Sequence, residues 1–190
     1  MSISYHIYGC RSNIEETATL LGIDNIHKDE HPSGDPFSIA KQTWLSPTDS
    51  THKCVLEDDV EVCNGFKEIC EKMVSRYPLA IFSLFPLQFL KRNPRTDKLI
   101  SKDPYIRASN ISACALIIPV QYIEDIFSQP ERDVEALVMN YVVANKIDFY
   151  TTLPAIVQHI GVISTIPTEG AYHGNVQTDY FLKDVSGYDF

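Results

Sequence analysis

The chain has 190 residues, a net charge of −9, and 44% hydrophobic and 22% charged residues. That length fits one domain with a core of its own, and the composition excludes a disordered or low-complexity chain. The acidic excess argues against general nucleic-acid binding, which depends on phosphate contacts, and no apolar run is long enough to span a bilayer.

Ile3–Tyr8 alternates and is β-rich, so it predicts a first strand, with Gly9-Cys10-Arg11 as the turn after it. Ser12-x-x-Glu15 reads as a capping box for a helix carrying Ile14, Ala18 and Leu21 on one face and ending at Gly22. Ile23–His27 is a short second strand, followed by a polar loop from Lys28 to Gly34. Asp35 then caps a helix with Pro36 at its first position, and Phe37, Ala40 and Trp44 form its buried face. The third strand is the apolar run Cys54-Val55-Leu56, which delivers Glu57, Asp58 and Asp59 in succession. Phe66, Ile69, Cys70, Met73 and Tyr77 stripe the next helix, and Leu79–Phe85 reads as a strand buried on both faces.

This alternation of strand and helix predicts an α/β/α sandwich with a mostly parallel central sheet. Ligands of such sheets gather outside the carboxyl ends of the strands, so Gly9–Arg11, Asp29 and Glu57–Asp59 are expected to converge on one edge. The second half is less regular. Gln88–Pro104 is basic and punctuated by proline, and Lys91, Arg92, Arg95, Lys98, Lys102 and Arg107 make a local cationic segment that reads as a lid or an anion-facing loop. Ala113–Ile118 is a strand, Val120–Phe127 a helix, Val134, Leu137, Val138 and Tyr141 mark another helix, and Ile147–Thr151 is a last strand. The polar and aromatic tail from Thr168 is expected to fold back over the site.

Three adjacent carboxylates repel one another and call for a cation. Carboxylate oxygens are hard ligands suited to Mg²⁺ or Mn²⁺, which commonly carry substrate phosphates as further ligands. A polar turn at a strand end is the alternative for this triplet. The five cysteines are odd in number and show no CxxC pair, which argues against zinc and favours a reduced, cytoplasmic setting. Met1–His6 has no basic region leading into an apolar one, so no secretory leader is expected.

Two segments carry a resemblance. Leu56–Val60, LEDDV, resembles the acidic metal motif of GT-A-type glycosyltransferases, and Leu153–Ser164, LPAIVQHIGVIS, is similar to a P-x-hydrophobic-V-Q-H-x-G-x-x-S segment of small bacterial and viral members. The resemblance implies one minimal domain, with a nucleotide-sugar half at 1–87, an acceptor and catalytic half at 88–167, and a tail at 168–190. It implies a nucleotide-sugar donor, a UDP-sugar first among them, and Mn²⁺ or Mg²⁺. Glu57 and Asp59 would hold the metal, Asp59 most directly, with Asp58 beside them at the donor; His159 would complete the set, its alternative being a packed histidine. By the same resemblance, Gly9, Cys10 and Arg11 border base and ribose, and Asp29 bonds one of them.

Inverting members use a carboxylate at the start of a late helix as general base. Asp133 matches first and Glu131 second, although relatives carry two adjacent acids where this chain has Asp133-Val134; the alternative for Asp133 is a helix N-cap. Members of this kind in phages glycosylate modified DNA bases, which would place the chain in the host cytoplasm; others act on glycans or protein. A metal-dependent phosphoryl-transfer or nuclease-type enzyme, and a non-catalytic nucleotide-binding domain, are the competing readings.

Overall fold

The computed structural model describes residues 1–29, 35–87, 91, 104–160 and 177–190. The strands are β1 (Ile3–Gly9), β2 (Asn25–Lys28), β3 (His52–Glu57), β4 (Val60–Val62), β5 (Ile81–Ser83), β6 (Tyr105–Arg107), β7 (Ala115–Pro119), β8 (Phe149–Thr152) and β9 (Val157–His159). The helices are α1 (Ile14–Leu21), α2 (Pro36–Leu45), α3 (Phe66–Arg76), α4 (Val120–Phe127) and α5 (Val134–Asn145).

Seven strands form one sheet in the order β2-β1-β3-β7-β5-β8-β6. β1 pairs in parallel with β2 and β3, and β5 with β8, while β7 and β6 pair antiparallel with their neighbours. The sheet is therefore mostly parallel in strand direction, as expected for the sandwich. Alternation assigns the two faces. Cys54, Leu56, Phe82 and Ile117 pack with α1 and α3, whereas Val55, Ile81, Leu116 and Ile118 pack with α2, α4 and α5. Trp44 of α2 stacks on Phe127 of α4 with ring centroids 5.7 Å apart. The strand order reverses direction at β1, with β2 on one side and β3 on the other, and this places a crevice at the carboxyl ends of β1 and β3.

Several local expectations change. α1 starts at Ile14 with Asn13 at its N-cap and no side-chain cap bond, so the Ser12 capping box does not form; the turn before it is tied instead to Asp58. Asp35 does precede Pro36 at the start of α2, but its carboxylate pairs with Arg132 rather than with a helix N–H. Strand limits move by a residue or two at β2, β5, β7 and β8, and Ile147–Thr151 is not the last strand, because Val157–His159 pairs antiparallel with β4. The described tail, from residue 177, is tied to β9 and β4: Gln158 and Thr178 exchange hydrogen bonds of 3.1 and 3.0 Å, and Lys183 pairs with Glu61. Most of the basic segment lies outside the described residues; Lys91 and Arg107 pair with Asp179 and Asp148.

Lys53 is an unexpected core residue, only 1% exposed. Its ammonium donates to the carbonyls of Thr43 (3.2 Å), Trp44 (2.8 Å) and Ser46, which are the carbonyls left over at the end of α2. A lysine can close a helix C-terminus in this way, and burial would be costly without those bonds. Lys53→Met leaves the Trp44 and Ser46 carbonyls short of a donor, while Thr43 keeps the Ser46 N–H and hydroxyl. We expect a loss of about 3 kcal/mol, read as a fall in Tm of roughly 6–12 °C; an unchanged Tm would mean that water or the helix itself replaces the bonds.

Candidate metal centre at the carboxyl edge of the sheet

Glu57 ends β3, Asp58 and Asp59 form the turn, and Val60 opens β4. Val60 pairs with His159 across the small sheet, and Ile160 N–H donates to the Asp59 carbonyl at 2.8 Å. That pairing carries a histidine 100 residues away in sequence onto the acidic turn. Ligand atoms of Glu57, Asp59 and His159 all lie within 4.8 Å of one another.

Each carboxylate has its own surroundings. Glu57 lies opposite Tyr8 in the parallel register, and the Tyr8 hydroxyl donates to Glu57 Oε1 at 2.9 Å. Burial pushes the Glu57 carboxyl up to about 7, the Asp59 charge adds to the rise, and the Tyr8 bond opposes it. Asp58, 8% exposed, accepts the backbone N–H of Arg11 at 2.7 Å, and burial raises its pKa against that bond. Burial also raises Asp59, but the bonds and charges of His159 and Arg11 outweigh it and hold Asp59 below the usual range. Asp59 Oδ2 meets Arg11 at 2.8 Å and His159 Nε2 at 3.4 Å. The bond to Asp59 raises the His159 pKa despite burial.

The residues present fit a divalent cation. Asp59 Oδ1 and His159 Nδ1 are buried with no hydrogen-bond partner among the described residues, an expensive condition for polar atoms unless a ligand meets them. Two carboxylates and an imidazole suit Mn²⁺ well and Mg²⁺ acceptably.

The other expected residues surround this group. Gly9 ends β1, its carbonyl accepts the Asp29 N–H at 2.8 Å, and Cys10 and Arg11 follow it, so the ends of β1, β2 and β3 do converge. Gly9 has no side chain for a steric reason: a Cβ there would stand 2.0 Å from Asp58 Oδ2. Gly9→Ala would also meet Asp58 Cγ at 2.1 Å and Cβ at 2.6 Å, so the turn itself must shift and not only the carboxylate. The expected outcome is a Tm several degrees below the wild type together with a loss of about tenfold in nucleotide affinity, measured by calorimetry; full affinity would show that Asp58 does not shape this turn. Gly34 lies outside the described residues, as do Gly161 and Ser164.

Asp133 is the N-cap of α5, and its Oδ1 accepts the Ala136 N–H at 2.8 Å. Glu131 is exposed and its Oε1 accepts the Arg132 N–H at 2.9 Å. Both stand at the start of α5, which is joined to the acidic turn by a short chain of bonds: Glu135 accepts the Ala113 N–H at 3.0 Å, and the neighbouring Cys114 carbonyl accepts the Glu57 N–H at 2.9 Å. Burial raises the Glu135 pKa. No local pattern in the sequence marks Tyr8 or Glu135 as part of the site. The register of β1 against β3 points to Tyr8 once the strands are paired; for Glu135 there was only its spacing of two from Asp133. The other histidines among the described residues have structural partners: His6 meets His27 at 3.1 Å, and His52 sits 3.0 Å from the Pro78 carbonyl.

No protein-family model matches the chain, and no curated protein matches it. Solved structures do. A mutant of Drosophila β1,4-galactosyltransferase 7, in complex with manganese, UDP-Gal and xylobiose, superposes with a TM-score of 0.50 at 10% identity, covering 90% of this chain and 77% of that one. A glycosyltransferase involved in glycosylation of the major capsid of PBCV-1 gives 0.48 at 12% identity, over 86% and 95% of the two chains. A nucleotidyl transferase from Methanothermobacter gives 0.47 at 6% identity, over 79% and 86%. The likeness is one of fold: the chain has a GT-A-like α/β/α architecture. Among the described residues no helix is long and apolar enough to cross a membrane.

Proposed function

We propose that this chain is a metal-dependent glycosyltransferase that moves a sugar from a nucleotide-sugar donor to an acceptor hydroxyl. The observation that carries the reading is the meeting of Glu57, Asp59 and His159 at the carboxyl edge of a GT-A-like sheet, with two buried polar atoms that have no hydrogen-bond partner among the described residues. The Drosophila neighbour holds manganese and UDP-Gal, which makes a UDP-sugar the first donor to test.

In this reading Glu57, Asp59 and His159 hold Mn²⁺ or Mg²⁺. Held there, such a cation would supply positive charge to offset that of the leaving diphosphate. Gly9, Cys10 and Arg11 border base and ribose, and Asp29 bonds one of them. Asp58 fixes the turn through the Arg11 N–H. Asp133 is the proposed base, with Glu131 second. One Asp133 oxygen is held by the Ala136 N–H, and the other takes the acceptor hydroxyl's proton as the hydroxyl oxygen bonds to the anomeric carbon and the nucleoside diphosphate leaves. The residues 1–87 are the donor half of the proposed domain, 88–167 the acceptor half, and 168–190 the tail. A modified base of phage DNA, a glycan and a protein are the acceptor classes to compare.

The test is a product assay with UDP-sugars, Mn²⁺ and each acceptor class, reading free UDP and the mass of the acceptor. Metal-dependent UDP release with a hexose-sized mass gain on one acceptor supports the reading. Phosphate release or DNA cleavage without sugar transfer supports phosphoryl transfer instead.

A further inference from the structure

Arg11 stands against Asp59, the carboxylate shared by the candidate metal group of Glu57, Asp59 and His159. Its Nη2 lies 2.8 Å from Asp59 Oδ2, the oxygen that also faces His159, and its Nε lies 3.3 Å from Asp58 Oδ1. The guanidinium thus spans two of the three adjacent carboxylates. A divalent ion held by either Asp59 oxygen would stand beside a fixed positive charge that repels it.

Two features let the side chain leave without disturbing the turn. The Arg11 backbone N–H is anchored separately to Asp58 Oδ2 at 2.7 Å, and the side chain is about a quarter exposed although its Nε is buried. A guanidinium fork fits phosphate oxygens as well as it fits carboxylates. A diphosphate arriving with the metal would offer it a new partner next to the one it gives up.

We propose that Arg11 is a resident counter-ion for Asp58 and Asp59 that exchanges these carboxylates for the diphosphate of an incoming nucleotide, so that metal and nucleotide binding are coupled through it. The proposal rests on the metal-and-nucleotide reading above. It differs from a base- or ribose-contact role in predicting that Arg11 opposes the metal when no nucleotide is present. Linkage then requires metal and nucleotide to strengthen each other by the same factor.

The test titrates Mn²⁺, followed by electron paramagnetic resonance, into the wild type, Arg11→Gln and Arg11→Lys, each with and without UDP. UDP affinity is also measured in chelator. The wild type is expected to bind Mn²⁺ weakly alone and far more tightly with UDP. Arg11→Gln should bind Mn²⁺ alone about tenfold or more tightly than the wild type, show a UDP enhancement smaller by a similar factor, and bind UDP less well in chelator. Arg11→Lys keeps a cation but loses the fork, and should fall between the two. Unchanged or weaker binding of Mn²⁺ alone in both variants, with the full UDP enhancement retained, overturns the exchange while leaving the metal site standing. If the wild type binds no Mn²⁺ under any condition, the site reading falls and the proposal falls with it.

Discussion

Asp59→Asn should remove metal-dependent nucleotide binding while leaving the fold in place. Asp59 is the residue on which the others converge: Arg11 and His159 both meet its Oδ2, its Oδ1 is buried without a hydrogen-bond partner among the described residues, and its carbonyl anchors Ile160. The substitution keeps the size of the side chain and the backbone bond but replaces an anionic ligand with a neutral amide. Loss of a charged ligand from a three-residue set is expected to weaken Mn²⁺ binding on the order of a hundredfold, about 2.7 kcal/mol. His159→Ala should cost a comparable factor, and the double variant little more than either alone, because both remove the same ion. Calorimetric titration of UDP in Mn²⁺ reads the effect. If Asp59→Asn retains wild-type affinity and the same dependence on Mn²⁺, the ion sits elsewhere.

Glu57→Gln should make the protein more stable and less able to bind metal. Burial raises the Glu57 carboxyl to about 7 from an ordinary value of 4.5, with the Asp59 charge adding to the shift. The folded state therefore holds a proton that the unfolded chain releases between those two values. The resulting stability is fully present below about pH 4.5 and is lost as pH rises through 7. At pH 8 the ionised, buried group costs up to about 3 kcal/mol. Glutamine keeps an oxygen to accept the Tyr8 hydroxyl but carries no charge. The gap in stability between Glu57→Gln and the wild type should open between pH 5 and pH 8, as denaturant unfolding would show, and comparing the two proteins cancels other titrating groups such as His6. A variant less stable than the wild type at pH 8 would show that the Glu57 charge is well compensated without metal. A carboxylate kept at a cost to stability is the behaviour expected of a ligand-binding group.

The readable part of this chain was the part governed by short-range pattern. Cys54-Val55-Leu56 followed by three acids marks a buried strand with its carboxyl end at a site. The alternation of strands and helices then fixes which edge Gly9–Arg11, Asp29 and Glu57–Asp59 share. Gly22 does end α1 in a left-handed conformation, and Pro36 does open α2. What escaped depends on long-range pairing. β4 and β9 have three residues each, too few to show a period, yet their pairing is what brings His159 to Asp59. Lys53 offers no local sign of burial, because its partners are carbonyls at the end of a helix. Ser12 satisfies a capping pattern that the structure does not use, since the Arg11–Asp58 bond shapes that turn. Asp133 illustrates a role that spacing alone leaves open: it caps α5, and a capping carboxylate keeps one oxygen for chemistry.

The measurement that bears most directly on the central claim is the thermal stability of the wild-type chain with UDP, UDP-sugars and other nucleoside diphosphates, each in Mn²⁺, in Mg²⁺ and in chelator. A ligand that binds only the folded state raises Tm in proportion to its occupancy. The account predicts a rise with one nucleotide family in Mn²⁺ that disappears in chelator and in Asp59→Asn. The same Tm with every nucleotide, whether metal or chelator is present, would contradict it.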